Sequence, residues 1–329
     1  MRRREFFGVV AAAAAWPFAA SAQQGRIRRV AVLAPFNEND LAGQVFLAAF
    51  KQRLIELGWT EGRNLAIDYR FTGGIPENVR VAAGEVVGTT PDVIFAGSNV
   101  SVGPLLQTTK TIPIIFTQVS DPVGSGFVAS LARPDGNLTG FQGYEPAIGG
   151  KWLELLKEIA PGVRRVAVIL NPTIPANVAF LHAAETAAIS LGMTVTAVGV
   201  RDAANIESIL TAFAREQNGG IIVTPSPVTN TKDNRELIAA LADRLRLPAI
   251  YPYRLSAASG ELISYTYDGV AQWQGAASYV DRILRGAKPA ELPVQAPTKY
   301  EMIINLKTAK ALGLTIPESF LLRADKVIE

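Results

Sequence analysis

RRVAVLAPF, residues 28–36, comes back as RRVAVILNP at residues 164–172. Its first five residues are identical, 136 positions apart. Two weaker echoes follow in the same order. TIPIIF at 111–116 matches RLPAIY at 246–251, with Pro113 and Pro248 separated by 135. DVIFAGS at 92–98 matches GIIVTPS at 220–226, with Ser98 and Ser226 separated by 128. Parallel strands share composition, so one echo would mean little. Three in order at similar offsets predict two lobes of like topology.

Each repeated run is apolar almost throughout, and helical patterns separate the runs. After the first comes ENDLAGQVFLAAFKQRLIELG, with Phe46, Phe50, Leu54 and Leu57 spaced four, four and three apart. Asn39 or Asp40 can cap this helix and Gly58 can end it. LAIDYRF, DVIFAG and IPIIFTQ read as further strands, with helices near 76–88 and 99–110 between them. The second half opens on KWLELLKEIAPG, a helix with Trp152, Leu155, Leu156 and Ile159 on its apolar side. RRVAVILNP, MTVTAVGV, GGIIVTPS and LPAIYPY then read as strands. The fold class is therefore α/β: two Rossmann-like lobes, each a parallel sheet covered on both faces. No long Pro/Ser linker divides the halves, so short crossings should join the lobes and leave a cleft between them. The closing segments, ELISYTYDGVAQWQGAASYVDRILRG and KPAELPVQAPTKYEMIINLKTAKALGL, should cross back and complete both sheets. The expected division is residues 28–140 with about 266–300 in lobe 1. Residues 141–265 with about 301–329 form lobe 2, the last stretch joining it or making a C-terminal tail.

The 329 residues are 49% hydrophobic and 19% charged, enough for two cored domains. There is no cysteine, which excludes disulfides, thiolate nucleophiles and Cys-ligated zinc. The single histidine, His182, falls in a helical pattern and reads as a surface residue. Residues 1–22 read as an export signal: a basic MRRREFF, an apolar GVVAAAAAWPFAA too short to span a bilayer, and a cleavage site after Ala22. Arg3-Arg4-Glu5-Phe6-Phe7 is close to the twin-arginine pattern, with the Sec route as the alternative. Without this segment 29 basic residues face 28 acidic ones, a formal charge of +1, which makes no case for nucleic acid. The expected location is the periplasm.

Ligands of open α/β sheets bind beyond the carboxyl ends of the strands. Those ends carry PFNEND, AGSNVS, TQVSDP, LNPTIP, TPSPVT and YPYR, rich in hydrogen-bonding groups and poor in charge. Gly124, Gly126 and Ala129 match the spacing G-x-G-x-x-A. A dinucleotide fingerprint, however, opens a helix directly after the first strand of its unit. Here Ser120-Asp121-Pro122 intervene and a second turn, RPDGN, follows. The glycines therefore read as a turn leading into the crossing between lobes, and no nucleotide cofactor is expected. G-x-S-x-G, H-E-x-x-H and P-loop motifs are absent. Glu38, Asp40 and Asp121 keep an enzyme acting through a carboxylate as an alternative.

The chain resembles the ABC transporter substrate-binding proteins with the type I periplasmic binding protein fold. The resemblance rests on RRREFF…AWPFAASAQQ, LGWTEGRNLAIDYRF, TIPIIF…SDPVGSGFVASLARPDGNLTGF, KWLELLKEIAPGVRRVAVILNP and the closing GAKPAELPVQAPTKYEMIINLKTAKALGLTIPESFLLRADKVIE. It covers almost the whole chain. It implies a soluble receptor, without cofactor, metal or catalysis. Such a receptor delivers a small organic solute to a membrane permease driven by a separate ATPase, and because some members resemble aromatic amino-acid receptors, an amino acid, aromatic among them, is the expected class. A sensor module presenting solute to a signalling receptor is the alternative. One departure, GSNVS where relatives often carry a Gly-Thr-type turn after the third strand, leaves the solute open. The expected ligand-binding residues are Asn37, Ser98, Asn99, Gln118 and Asp121 from lobe 1, and Asn171, Ser226 and Tyr251 from lobe 2. Phe36 and Tyr251 would be walls.

Overall fold

The computed structural model describes residues 26–200, 203–254 and 260–329. The expected export signal, residues 1–22, lies outside the described residues. Among those described, no helix is long and apolar enough to cross a membrane.

In lobe 1, strands β1 (Arg28–Ala34), β2 (Leu65–Phe71), β3 (Val93–Ala96), β4 (Ile114–Val119) and β5 (Leu138–Gln142) alternate with helices α1 (Leu41–Glu56), α2 (Pro76–Gly88) and α3 (Asn99–Thr108). The sheet order is β2-β1-β3-β4-β5, every pair parallel. Residues buried on both faces explain why β1, β3 and β4 read as nearly unbroken apolar runs, whereas the edge strand β2 is half-exposed. Asp40 caps α1 by accepting from the backbone N–H groups of Ala42 and Gly43, at 2.9 and 3.2 Å. Phe50 and Leu54 turn inward.

Lobe 2 repeats the winding. Its elements are α4 (Ile148–Ile159), β6 (Arg165–Leu170), α5 (Pro175–Leu191), β7 (Thr194–Gly199), α6 (Ile206–Phe213), β8 (Gly219–Val223), α7 (Lys232–Arg244), β9 (Ala249–Tyr251) and β10 (Ile263–Tyr267). After α8 (Gly269–Leu284) come β11 (Tyr300–Asn305), α9 (Leu306–Ala311), α10 (Glu318–Leu321) and β12 (Lys326–Ile328). The order is β12-β11-β10-β9-β8-β6-β7, with β11 antiparallel to β10. Read from β7, the first five strands have the lobe 1 order. The two RRVAV segments are thus the matching second strands, flanked alike in each sheet.

The helices after the fifth strands are exchanged. β5 belongs to the first sheet, yet the α4 that follows packs on α5 of lobe 2. β10 belongs to the second sheet, yet α8 packs on α1, β3 and β4 of lobe 1. Each exchanged helix brings a fully buried tryptophan. Trp273 of α8 lies edge-on to Phe95, centroids 4.7 Å apart. Trp152 of α4 lies edge-on to Tyr144 and Phe180, at 5.2 and 5.4 Å.

The α4–α5 contact is close enough to require glycine. A Cβ on Gly149 would sit 2.0 Å from the Phe180 carbonyl oxygen, a backbone atom that cannot swing aside. Gly149→Ala should therefore lower the stability of lobe 2 by about 1–3 kcal/mol, read from urea unfolding. An unchanged midpoint would show that the helices part freely.

Candidate functional site

The carboxyl edges of both parallel sheets bring together the loops after the strands. In lobe 1 these are residues 35–40, 72–75, 97–99 and 118–126. In lobe 2 they are 171–174, 224–231 and 252–254.

The loop after β3 leads straight into a helix, with Ser98 and Asn99 half-exposed at the sheet edge. Gly97 has no room for a side chain. A Cβ there would lie 2.8 Å from Pro35, 3.0 Å from the Trp273 ring and 3.1 Å from the Leu33 carbonyl. That tight corner starts α3 at the sheet edge, with Ser98 as N-cap residue. Ser98 makes no side-chain cap bond, and its Oγ lies instead 3.1 Å from Ser101 Oγ. No acidic residue occupies the first turn. The N–H groups that every helix start leaves unpaired thus meet no side chain here. Asn99 Oδ1 is buried and has no hydrogen-bond partner among the described residues.

Behind this corner stands an aromatic wall. Phe36 is only 9% exposed and leans on Trp273 and Phe71, at 5.7 and 6.2 Å. Half-buried Phe46 stacks on Trp273 at 5.8 Å. Asn37 is exposed beside Gly73, where a Cβ would meet its Oδ1 at 2.8 Å.

Gln118 and Asp121 flank the end of β4, both with positive φ, 58° and 44°. Such angles in residues other than glycine are uncommon and store strain. Asp121 Oδ1 accepts the Gly124 N–H at 3.0 Å, and a Cβ on Gly124 would fall 2.0 Å from Asp121 Oδ2. The glycine that resembled a phosphate cradle therefore makes room for a carboxylate that closes its own turn.

Lobe 2 departs from expectation at three positions. Tyr251 is 1% exposed and lies in the core beneath α6 and α7 rather than at the rim. Strand alternation puts Ala249 and Tyr251 on that face and Ile250 on the other. The half-buried aromatic at this strand end is Tyr253, whose ring carries the Arg235 guanidinium at 3.9 Å. Ser226 is buried and exchanges hydrogen bonds with Thr229. Asn171 Oδ1 accepts from the backbone N–H and the hydroxyl of Thr173, at 3.0 and 2.8 Å, closing an Asx turn. Lobe 1 thus brings Phe36, Ser98, Asn99 and Gln118 to one edge, while these three lobe 2 side chains serve their own lobe.

One residue that pattern reading missed organises the lobe 2 edge. Buried Asn177 joins the ends of β6 and β8. Its Oδ1 accepts from Asn171 N–H and the Thr224 hydroxyl, and its Nδ2 donates to the Pro225 carbonyl. An amide within an otherwise apolar helix face was its only sequence signal. Tyr144 sits where the chain first passes between lobes. Its hydroxyl contacts the Pro252 carbonyl and Thr266 Oγ1. Tyr267 and Tyr300, from the other two passages, pack against it at 4.7 and 6.3 Å. Burial raises all three phenol pKa values, that of Tyr300 to about 12, so they stay neutral. Among the described residues no cluster of three or more His, Asp or Glu could hold a metal.

Comparison with known proteins agrees with this architecture. A tyrosine-binding protein of Clostridioides difficile (strain R20291) is 27% identical over 266 residues, 80% of this chain and 75% of that protein. The crystal structure of an ABC domain from Streptococcus pneumoniae in complex with L-Trp superposes with a TM-score of 0.82 at 24% identity, covering 92% of this chain and 99% of that one. A conserved domain protein from Vibrio cholerae O1 biovar El Tor does so with a TM-score of 0.82 at 29% identity, covering 92% and 100%. The family model of the ABC transporter substrate binding proteins matches residues 29–328, and the chain belongs to that family.

Proposed function

We propose that this protein captures an amino acid, one with an aromatic side chain, in the cleft and presents it to the permease of an ABC importer. The observation that carries this reading is the uncapped start of α3 set against the aromatic wall. A carboxylate is stabilised at a helix N-terminus by unpaired N–H groups and the helix dipole. No lysine or arginine occurs in the lobe 1 loops 35–40, 72–75, 97–101 or 118–126, so these dipoles are the cationic element available there. The ammonium donates to Asn99 Oδ1, a buried acceptor without a partner among the described residues. The ring faces the side of Phe36 and Phe46, which the buried Trp273 backs from the core. The C. difficile and S. pneumoniae relatives, one named for tyrosine and one holding L-Trp, support this choice of solute class.

Closure of lobe 2 over lobe 1 completes the grip, and the solute must bind the closed form more tightly for closure to follow. No bond is made or broken in this reading. The mature protein works in the periplasm after removal of residues 1–22. Calorimetric titration with L-tyrosine and L-tryptophan should give one-to-one binding with a Kd of about 1 μM or tighter for at least one of them. L-alanine and D-arabinose should give no measurable heat. Absence of binding to every aromatic amino acid would overturn the proposal.

A further inference from the structure

The first passage between lobes runs through Gln142–Tyr144, the second through Tyr267–Gly269 and the third through Gln295–Tyr300. One carboxamide, from the helix that follows the second passage, meets the first passage directly and the third through it. Gln272 stands in the first turn of α8, 6% exposed. Its Oε1 accepts the Gln118 N–H at 3.0 Å, and its Nε2 donates to the Gln142 carbonyl at 2.6 Å. Gln118 needs this partner. The β4–β5 register shifts between Phe116 and Val119, so residue 118 stands outside the ladder. Gln142 N–H in turn donates to the Gln295 carbonyl at 2.8 Å, which ties in the third passage. Two glycines leave space around Gln118. A Cβ on Gly143 would lie 3.3 Å from the Gln118 backbone and from the Tyr267 ring. One on Gly269 would lie 2.9 Å from Phe46 and 3.3 Å from Gln118 Nε2.

We propose that Gln272 is a positioning residue that couples lobe rotation to the ligand floor, holding the strained Gln118 backbone to the crossing strand through one rigid amide. Hinge motion is absorbed by a few residues at the ends of elements. When the lobes turn, the Gln142 carbonyl moves, and the same carboxamide carries the displacement to residue 118. A backbone at positive φ relaxes when an anchor such as this one is lost. Removing the amide therefore loosens the hinge and the floor together. The effect on solute affinity rests on the function proposed above. The effect on lobe geometry does not.

The chain has no cysteine, so two nitroxide labels can be placed without background. Glu77→Cys at the start of α2 and Lys232→Cys at the start of α7 lie on exposed turns of opposite lobes. Double electron–electron resonance on the ligand-free protein should show one narrow distance distribution. Gln272→Met keeps the length of the side chain and loses both bonds, and it should widen that distribution by about half or more. Gln272→Glu keeps the acceptor for Gln118 and should widen it less, and it carries the test if the methionine variant folds poorly. In a Gln118→Gly background, where φ > 0 is unstrained, the widening caused by Gln272→Met should fall by about half. With L-tryptophan or L-tyrosine, Gln272→Met should weaken binding by about tenfold. Unchanged distributions in both Gln272 variants, or equal widening with and without Gln118→Gly, would overturn the inference. A native protein that binds neither amino acid would overturn the proposed solute class and leave the distance result standing.

Discussion

Ser98→Asp should reduce aromatic amino-acid binding by about a hundredfold or more while leaving the protein as stable as before, or more so. The two effects have opposite signs because they share one cause. Aspartate is among the best N-cap residues, and its carboxylate can accept hydrogen bonds from the N–H groups of the first turn of α3. Its charge also suits the positive end of the helix dipole. Both favour the folded chain. The same carboxylate occupies the place proposed for the solute's own, and it repels that group across a short, poorly screened distance. A general disruption of lobe 1 would lower binding and melting temperature together. Calorimetric titration beside a thermal melt separates the two cases. Affinity within about threefold of the native value would mean that the solute carboxylate lies elsewhere.

The largest loss of stability should come from Trp152→Ala, about 3–5 kcal/mol in urea unfolding. Trp152 is fully buried and meets Tyr144 and Phe180 edge-on. Its indole N–H donates to the Tyr265 carbonyl at 3.1 Å, so the substitution also strands an acceptor. Tyr144 is anchored by this packing and sits on the first passage, so the damage should reach the hinge. Trp152→Phe should recover much of the packing without the hydrogen bond. A loss below about 1 kcal/mol for the alanine variant would show that the pocket collapses around the missing ring.

Much of the winding was legible because parallel core strands must be apolar on both faces, and the two lobes met that demand with nearly the same words. RRVAV marked β1 and β6, and Pro113 and Pro248 marked the entries to β4 and β9. Polar residues at strand ends located the cleft edges, but not the direction of each side chain. Tyr251 follows the pleat into the core, and Asn171 and Ser226 turn back on their own loops. Gly124 was ambiguous for a different reason. Spacing cannot tell a glycine that admits phosphate from one that admits the carboxylate three residues before it. Gln272 was invisible because its partners lie 154 and 130 residues away, on segments that meet only when both sheets are complete.

The traded helices have a bearing on how such a chain could arise and break. A single copy of the β/α unit, cut after its fifth strand's helix, would carry a tryptophan with no hollow of its own to fill. Two such copies would satisfy each other only by swapping, as a symmetric dimer, and joining them end to end would give the arrangement seen here. By the same token, a proteolytic cut near Asp268 that released the C-terminal fragment would strip Trp273 from the opposite half. Neither half should survive as an independent piece.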